Sequence, residues 1–159
     1  MLKLQIILVS DRAFIFDYII DENVNQHDVY EELMKPLVEK LIKGFHCTVL
    51  AYGQTGAGKT YTMGLHSDGF NGDQAGMVSR ALADIFHITS RQNEEMLSKI
   101  SVSYIEIYNE KVYDLLSNNF TEPTNAKGFK IPSAIKEPVT NIIEAKKILI
   151  DGENCFSIY

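Results

Sequence analysis

The sequence predicts an α/β fold built in layers, with a mainly parallel central sheet and helices on both faces. Three observations support this class. Segments typical of strands alternate with segments of helical periodicity along the 159 residues. Cys47–Tyr52 is short and apolar on both faces, which is typical of a strand buried beneath helices. A glycine-rich loop, residues 53–58, follows it directly and leads into a predicted helix.

Two strands are predicted at the start of the chain. Leu2–Val9 is mildly apolar, and Asp11 and Arg12 interrupt it. Ala13–Ile20 (AFIFDYII) is rich in aromatic and β-branched residues, so it is the second predicted strand. The polar segment Asp21–Gln26 then predicts a turn.

Asp28–Lys43 has the periodicity of an amphipathic helix. Its apolar residues recur every three or four positions, at Val29, Leu33, Met34, Leu37, Val38, Leu41 and Ile42. Gly44 follows where glycine commonly ends a helix. Pro36 lies inside the pattern and lacks a backbone N–H, so we expect a kink or a late start of the regular helix.

Beyond the glycine-rich loop the alternation continues. Gly76–Thr89 and Asn141–Glu153 carry apolar residues at helical spacing and are predicted helices. Lys99–Tyr108 (KISVSYIEIY) is predicted to be one long strand. Leu65–Ala75 is polar and glycine-rich, and Leu115–Lys127 contains Asn, Thr, Pro and Ser, so both are predicted to be irregular.

Composition limits the kind of partner. The formal net charge is −6 and hydrophobic residues make up 45% of the chain, so we expect one packed domain that is not a general nucleic-acid binder. Cys47 and Cys155 form no disulfide framework. No apolar run reaches the roughly 20 residues of a membrane span, and Met1–Ser10 lacks the features of a signal peptide. We therefore expect a cytoplasmic protein.

The glycine-rich loop matches the P-loop pattern G-x-x-x-x-G-K-[ST]. Its residues are Gly53, Gln54, Thr55, Gly56, Ala57, Gly58, Lys59 and Thr60. Glycines let the backbone curl so that successive N–H groups face phosphate oxygens, and the helix that follows adds its unpaired N-terminal N–H groups. The sequence therefore predicts a P-loop NTPase fold that binds a nucleoside triphosphate.

The last two residues of the motif have separate tasks. The ammonium of Lys59 is a point charge that can reach the β- and γ-phosphates. The hydroxyl of Thr60 is a hard oxygen ligand of the kind that Mg²⁺ prefers. Mg²⁺ is therefore the expected metal cofactor, with Thr60 as its protein ligand.

Three blocks around the loop are more specific than the loop itself. They are FIFDYII at 14–20, PLVEKLIKGFHCTVLAYGQTGAGKTYTMG at 36–64 and VSYIEIYNEKVYDLL at 102–116. In this order and spacing they resemble the kinesin motor domain, and the resemblance runs from Ala13 to the end of the chain. It implies an ATP-dependent microtubule motor of the cytoplasm and its cytoskeleton.

The resemblance also implies roles for individual residues. Residues 53–60 would hold the phosphates of ATP and the magnesium ion, and Tyr61 matches a position whose ring lies against adenine. Ser117–Val139 matches a lobe that touches tubulin. The lysines of this lobe are Lys127, Lys130 and Lys136. Because microtubules are acidic, these lysines are expected to contact them.

The sequence departs from the family pattern in three places. It contains neither N-x-x-S-S-R-S-H nor D-L-A-G-S-E, the two segments with which kinesins sense the γ-phosphate and hydrolyse ATP. The R-x-R-P element that helps seat adenine is absent from Met1–Ser10. We expect residues 1–159 to be a truncated, partial motor domain, the P-loop half, with negligible ATP hydrolysis. We also expect exposed apolar faces and marginal folding.

Three other interpretations remain open at this stage. Asp73-Gln74-Ala75-Gly76 fits the D-x-x-G pattern of small GTPases, although no N-K-x-D motif accompanies it. Ile148–Asp151 resembles the end of a Walker B strand, with Asp151 near magnesium. The chain could also be a non-catalytic module that binds nucleotide or microtubules, which the missing segments favour.

Overall fold

The computed structural model describes residues 5–65, 72–91, 98–117, 131 and 134–156. Its strands are β1 (Gln5–Val9), β2 (Arg12–Phe16), β3 (Ile100–Val102), β4 (Ile105–Tyr108), β5 (Lys111–Asp114) and β6 (Glu137–Val139). Its α-helices are α1 (Gln26–Val29), α2 (Lys35–Ile42), α3 (Lys59–Met63), α4 (Met77–Thr89) and α5 (Ile142–Phe156), and a π-helical segment (Tyr30–Met34) joins α1 to α2.

The two N-terminal strands pair as an antiparallel hairpin. The register runs from Gln5 opposite Phe16 to Val9 opposite Arg12. Both strands predicted from the sequence are therefore confirmed. The second is shorter than expected, because it ends at Phe16 instead of Ile20.

The predicted long strand Lys99–Tyr108 is divided in two where it changes partner. β3 pairs with β6, and β4 pairs with β5, so neither ladder crosses the division. At the division the hydroxyl of Ser103 donates to the carbonyl of Ile135 at 2.7 Å. The carbonyl of Tyr104 accepts from the N–H of Leu115 at 2.9 Å. Hydrogen bonds to two other segments thus replace the ladder at this point.

Strand β5 was not predicted from the sequence. It follows β4 through a two-residue turn in which Asn109 and Glu110 both have positive φ, +47° and +62°. Positive φ at both central residues is the condition for a tight hairpin turn whose twist matches the strands. Asn adopts this conformation readily and Glu does not, so the sequence carries only half of the usual hairpin signal.

The expectation of a strand at Cys47–Tyr52 is wrong for this structure. The segment is irregular, and no strand pairs with it among the described residues. Leu50 and Tyr52 are 85% and 95% exposed, and Phe45 just before them is 63% exposed. All strand pairs in the described ranges are antiparallel. The exposed apolar faces expected from the sequence are thus present, both on the N-terminal hairpin and on the segment that enters the loop.

The helix predicted at Asp28–Lys43 is present with an irregular middle. The N–H of Lys35 donates to the carbonyl of Tyr30, five residues back, which closes the π-helical segment. Pro36 is the second residue of α2 and follows this segment closely, so its missing N–H falls where the hydrogen-bond pattern is already irregular. The expected disturbance near Pro36 is therefore an irregular segment before it and not a late start, because α1 already begins at Gln26. Gly44, with φ of +92°, follows the end of the helix as expected.

The core lies between the π-helical segment, α2 and α4. Its buried apolar side chains are Tyr30, Val38, Met77 and Ala81. The hydroxyl of Tyr30 donates to Oδ2 of Asp84 on α4 at 2.6 Å. Burial and this hydrogen bond raise the pKa of Tyr30 far above its ordinary value, so the phenol keeps its proton. The bond fixes α4 against the helical segment that precedes it in the chain.

The predicted helices α4 and α5 are confirmed. Asn141 caps α5 by accepting the N–H of Glu144 at 3.0 Å. The carboxylate of Glu144 in turn accepts the N–H of Thr140, the residue before the cap, at 2.7 Å. Ile148–Asp151 lies inside α5 with Asp151 exposed, so the Walker B interpretation is wrong. Within the described ranges, no helix is long and apolar enough to cross a membrane.

Asp114, the last residue of β5, holds this strand to the segment before β6. It is 4% exposed. Its Oδ1 accepts the N–H of Leu116 at 3.0 Å and its Oδ2 accepts the N–H of Ile135 at 2.7 Å. One carboxylate therefore satisfies two backbone donors that belong to separate parts of the chain.

We expect Asp114→Ala to lower the free energy of unfolding by about 1–3 kcal/mol, because it leaves partly buried N–H groups without an acceptor. Asp114→Asn keeps one acceptor oxygen and should give an intermediate loss. Urea unfolding followed by circular dichroism measures both. The control is Asp151→Ala on the exposed face of α5, expected within about 0.5 kcal/mol of the unmodified chain. Equal losses for Asp114→Ala and the control would contradict the role of Asp114.

Candidate functional site

The loop between Tyr52 and α3 is closed by glycines in the left-handed region. Gly56 has φ of +83° and Gly58 has φ of +87°. A side chain in this region costs roughly 1–2 kcal/mol, so the two positions favour glycine. The N–H of Ala57 donates to the carbonyl of Gln54 at 3.2 Å, which makes a tight turn inside the loop. Gly58 ends the loop and caps α3, which begins at Lys59.

The side chain of Lys59 folds back across this loop. Its Nζ donates to the carbonyls of Gly53 at 2.7 Å and Gln54 at 2.8 Å. An ammonium has three N–H donors, so two serve the loop and one remains for an anion. The ammonium of Lys59 thus links the end of the predicted motif to its start, and its remaining N–H suits a phosphate oxygen.

Thr60 follows in the first turn of α3. It is exposed, and its carbonyl accepts the N–H of Gly64 at 2.8 Å, where the helix ends. Among the described residues, no group of three or more His, Cys, Asp or Glu could hold a metal ion. Mg²⁺ commonly takes only one or two protein ligands and completes its shell with water and phosphate oxygens. The hydroxyl of Thr60 fits that requirement.

Tyr61 is held at both its backbone and its side chain. The buried amide of Gln26 donates to the carbonyl of Tyr61 at 2.7 Å. The hydroxyl of Tyr61 donates to Oε1 of Gln74. Together with its neighbours, the ring lines a cavity of about 510 Å³. The other lining residues are Asn25, Gln26, His27, Asp73, Gln74 and Arg80.

Arg80 on α4 holds the turn that carries Gln74. Its Nε donates to the carbonyl of Ala75 at 2.8 Å, and one of its terminal nitrogens donates to the carbonyl of Asp73 at 2.9 Å. Its other terminal nitrogen lies 3.4 Å from Nδ1 of His27. The D-x-x-G pattern therefore supplies two backbone carbonyls to an arginine, and the GTPase interpretation gains no support from it.

Sequence reasoning found the loop and Tyr61 but missed the residues that surround the ring. Gln26, Gln74 and Arg80 are separated along the chain and carry no motif for nucleotide binding. The one signal in the sequence was the D-x-x-G pattern at Asp73–Gly76. It marks the turn that carries Gln74, because Asp73 offers its carbonyl to Arg80 and not because the chain resembles a GTPase.

Of the three lysines predicted to contact microtubules, one lies among the described residues. Lys136 is exposed just before β6. Lys127 and Lys130 lie outside the described residues, so their predicted contacts stay predictions.

Comparison with known proteins shows where this architecture occurs. The sequence model of the kinesin motor domain family matches residues 7–158. The kinesin-like protein Nod of Drosophila melanogaster is 44% identical over 115 residues, which are 70% of this chain and 17% of Nod. A solved structure of the Drosophila kinesin family member Kin10/NOD with divalent manganese and ADP superposes with a TM-score of 0.84. At 34% identity, it covers 94% of this chain and 52% of the solved one.

A second structure places NOD and bovine tubulin in an 11 Å map of nucleotide-free NOD complexed to the microtubule, and its match has the same TM-score, identity and coverage. The chain thus spans about half the length of the solved relatives it matches. This likeness confirms the predicted α/β, P-loop NTPase fold class.

Proposed function

Because the chain belongs to the kinesin motor domain family, we propose that residues 53–61 bind ATP with Mg²⁺ and serve a microtubule motor. The observation that carries the proposal is the bridge from Lys59 to the carbonyls of Gly53 and Gln54. It shapes the loop and keeps a positive charge beside it. Because a fold alone does not establish a nucleotide site, this local geometry is the support for the proposal.

The residues present match the chemistry of a triphosphate. Left-handed glycines at 56 and 58 curl the backbone of the loop, so that its N–H groups can converge on phosphate oxygens. Lys59 supplies a charge-assisted hydrogen bond, and Thr60 supplies an oxygen ligand for Mg²⁺. The match to NOD covers 94% of this chain, and the structure of NOD contains ADP and manganese, which supports the same assignment here.

The base is proposed to lie against Tyr61, in the cavity that this ring lines. Tyr61 directly follows Thr60, the residue that would ligate Mg²⁺, so the cavity and the loop are adjacent in sequence. Its walls combine an aromatic ring with amide, imidazole and guanidinium groups, which suits a flat heterocycle that both stacks and accepts hydrogen bonds.

Microtubules are the proposed partner, with Lys127, Lys130 and Lys136 as contacts, and the microtubule cytoskeleton of the cytoplasm is the proposed location. Support comes from the complex of NOD with the microtubule and from the acidity of tubulin, which favours lysines. Lys136 is exposed and therefore accessible to a partner.

Lys59→Ala is expected to weaken binding of Mg-ATP by about 10- to 100-fold, because a hydrogen bond to a charged group contributes about 1.5–3 kcal/mol. Isothermal titration calorimetry on the 159-residue polypeptide measures the change. Lys40→Ala, which removes an exposed lysine of α2, is the matched control and should bind ATP like the unmodified chain. Equal affinities for Lys59→Ala and Lys40→Ala would count against the proposed site.

Purified residues 1–159 are expected to bind ATP without measurable turnover, with or without microtubules. The sequence carries neither of the two segments that position the attacking water and sense the γ-phosphate in kinesins. Phosphate release measured at saturating microtubule concentration tests this. Microtubule-stimulated turnover at the rate of an ordinary motor would refute the expectation.

Changing Lys127, Lys130 and Lys136 together to Ala should weaken co-sedimentation with microtubules several-fold and reduce its dependence on salt. The control changes the exposed residues Lys40, Lys43 and Lys147 to Ala, so that both variants have the same net charge. If both variants lose affinity equally, the contact is general electrostatics and the proposed lobe is wrong.

A further inference from the structure

We propose that Gln74 is a positioning residue for the nucleotide base, because it fixes the ring of Tyr61 before the nucleotide binds. The inference rests on the proposed function, since it requires the base to lie against Tyr61. Gln74 touches neither the loop at residues 53–58 nor Lys59 in any described hydrogen bond, so its effect is separate from phosphate binding.

The contact itself joins two parts of the chain. The hydroxyl of Tyr61 on α3 donates to Oε1 of Gln74, thirteen residues later. Tyr61 is 49% exposed, so its ring is only half enclosed by its neighbours. The hydrogen bond to Gln74 holds the far end of the side chain, while Gln26 holds the backbone at the near end.

The turn that carries Gln74 is itself anchored, so it can act as a support. Arg80 donates to the carbonyls on both sides of Gln74, at Asp73 and Ala75. The N–H of Ala75 also donates to the carbonyl of Gly72 at 3.1 Å. The position of Gln74 is therefore set by two hydrogen bonds from Arg80 on α4 and by one within the turn, none of which involves Tyr61.

Two glycines bring this support close to α3. A Cβ placed on Gly76 would lie 2.4 Å from both the N and the Cα of Gly64. The backbone at the end of α3 thus touches the backbone at the start of α4, and no side chain fits between them. This contact sets the distance between Gln74 and Tyr61, because each residue lies within three positions of one of the two glycines.

A fixed ring lowers the cost of binding a flat ligand. A side chain that is ordered only on binding subtracts its lost freedom from the affinity, and a side chain ordered beforehand does not. Lys59 anchors the phosphates independently of this ring. The influence of Gln74 should therefore be confined to ligands that carry a base.

The experiment compares two probes on the 159-residue chain by calorimetry: Mg-ATP, which has a base, and magnesium tripolyphosphate, which has none. Gln74→Leu removes the acceptor, and we expect ATP to bind about three- to ten-fold more weakly, as for the loss of one neutral hydrogen bond. Gln74→Glu keeps an acceptor oxygen at the same place and should bind ATP within about two-fold of the unmodified chain. Tripolyphosphate should bind all these variants equally.

Tyr61→Phe deletes only the hydroxyl and keeps the ring, so it is the variant least able to disturb folding. It should weaken ATP binding as much as Gln74→Leu does, and the double variant should be no weaker than either single one, because both remove the same contact. Additive losses in the double variant would overturn the proposal.

Other outcomes distinguish a failure of the proposed function from a failure of the positioning role of Gln74. If the unmodified chain binds neither probe, the proposed function fails and the positioning role fails with it. If the unmodified chain binds both probes but Gln74→Leu leaves ATP affinity unchanged, the function stands and the role of Gln74 is overturned. A loss for tripolyphosphate that equals the loss for ATP also overturns it, because the substitution would then act on the whole loop.

Discussion

The bridge from Lys59 to the carbonyls of Gly53 and Gln54 is the interaction on which the site depends. The loop has little else to hold it, since it follows an exposed, irregular segment and leads into a helix of five residues. Left-handed glycines make the curl possible, and the ammonium keeps it closed. The same charge that would bind phosphate therefore shapes the loop before any ligand is present.

Helices, more than strands, support the rest of the site. The hydroxyl of Tyr30 binds Asp84, which fixes α4 against the π-helical segment. Helix α4 supplies Arg80, and Arg80 holds the turn beside Tyr61. A buried core thus connects to the cavity wall through a short series of hydrogen bonds. The cavity is consequently formed in advance, which favours binding without a large ordering cost.

The sequence predicted the elements whose information is local. Helices α4 and α5 have apolar residues at a regular period, and the P-loop has a contiguous motif. The sequence did not predict features that depend on residues far away along the chain. Cys47–Tyr52 has the composition of a central strand, but composition cannot supply neighbouring strands, and none of the described strands lies beside it. Likewise Gln74 is an ordinary polar residue of a loop until the fold brings it to Tyr61, because their contact depends on backbone packing at Gly64 and Gly76.

Amide hydrogen exchange tests the central claim, that this loop of a kinesin-family chain is a preformed phosphate site, most directly. Exchange of the backbone N–H groups at residues 54–61 would be followed with and without saturating Mg-ATP. The account predicts slower exchange that is concentrated in these residues, since their N–H groups would donate to phosphate oxygens. Unchanged exchange at residues 54–61, with protection by Mg-ATP confined to other parts of the chain, would contradict it.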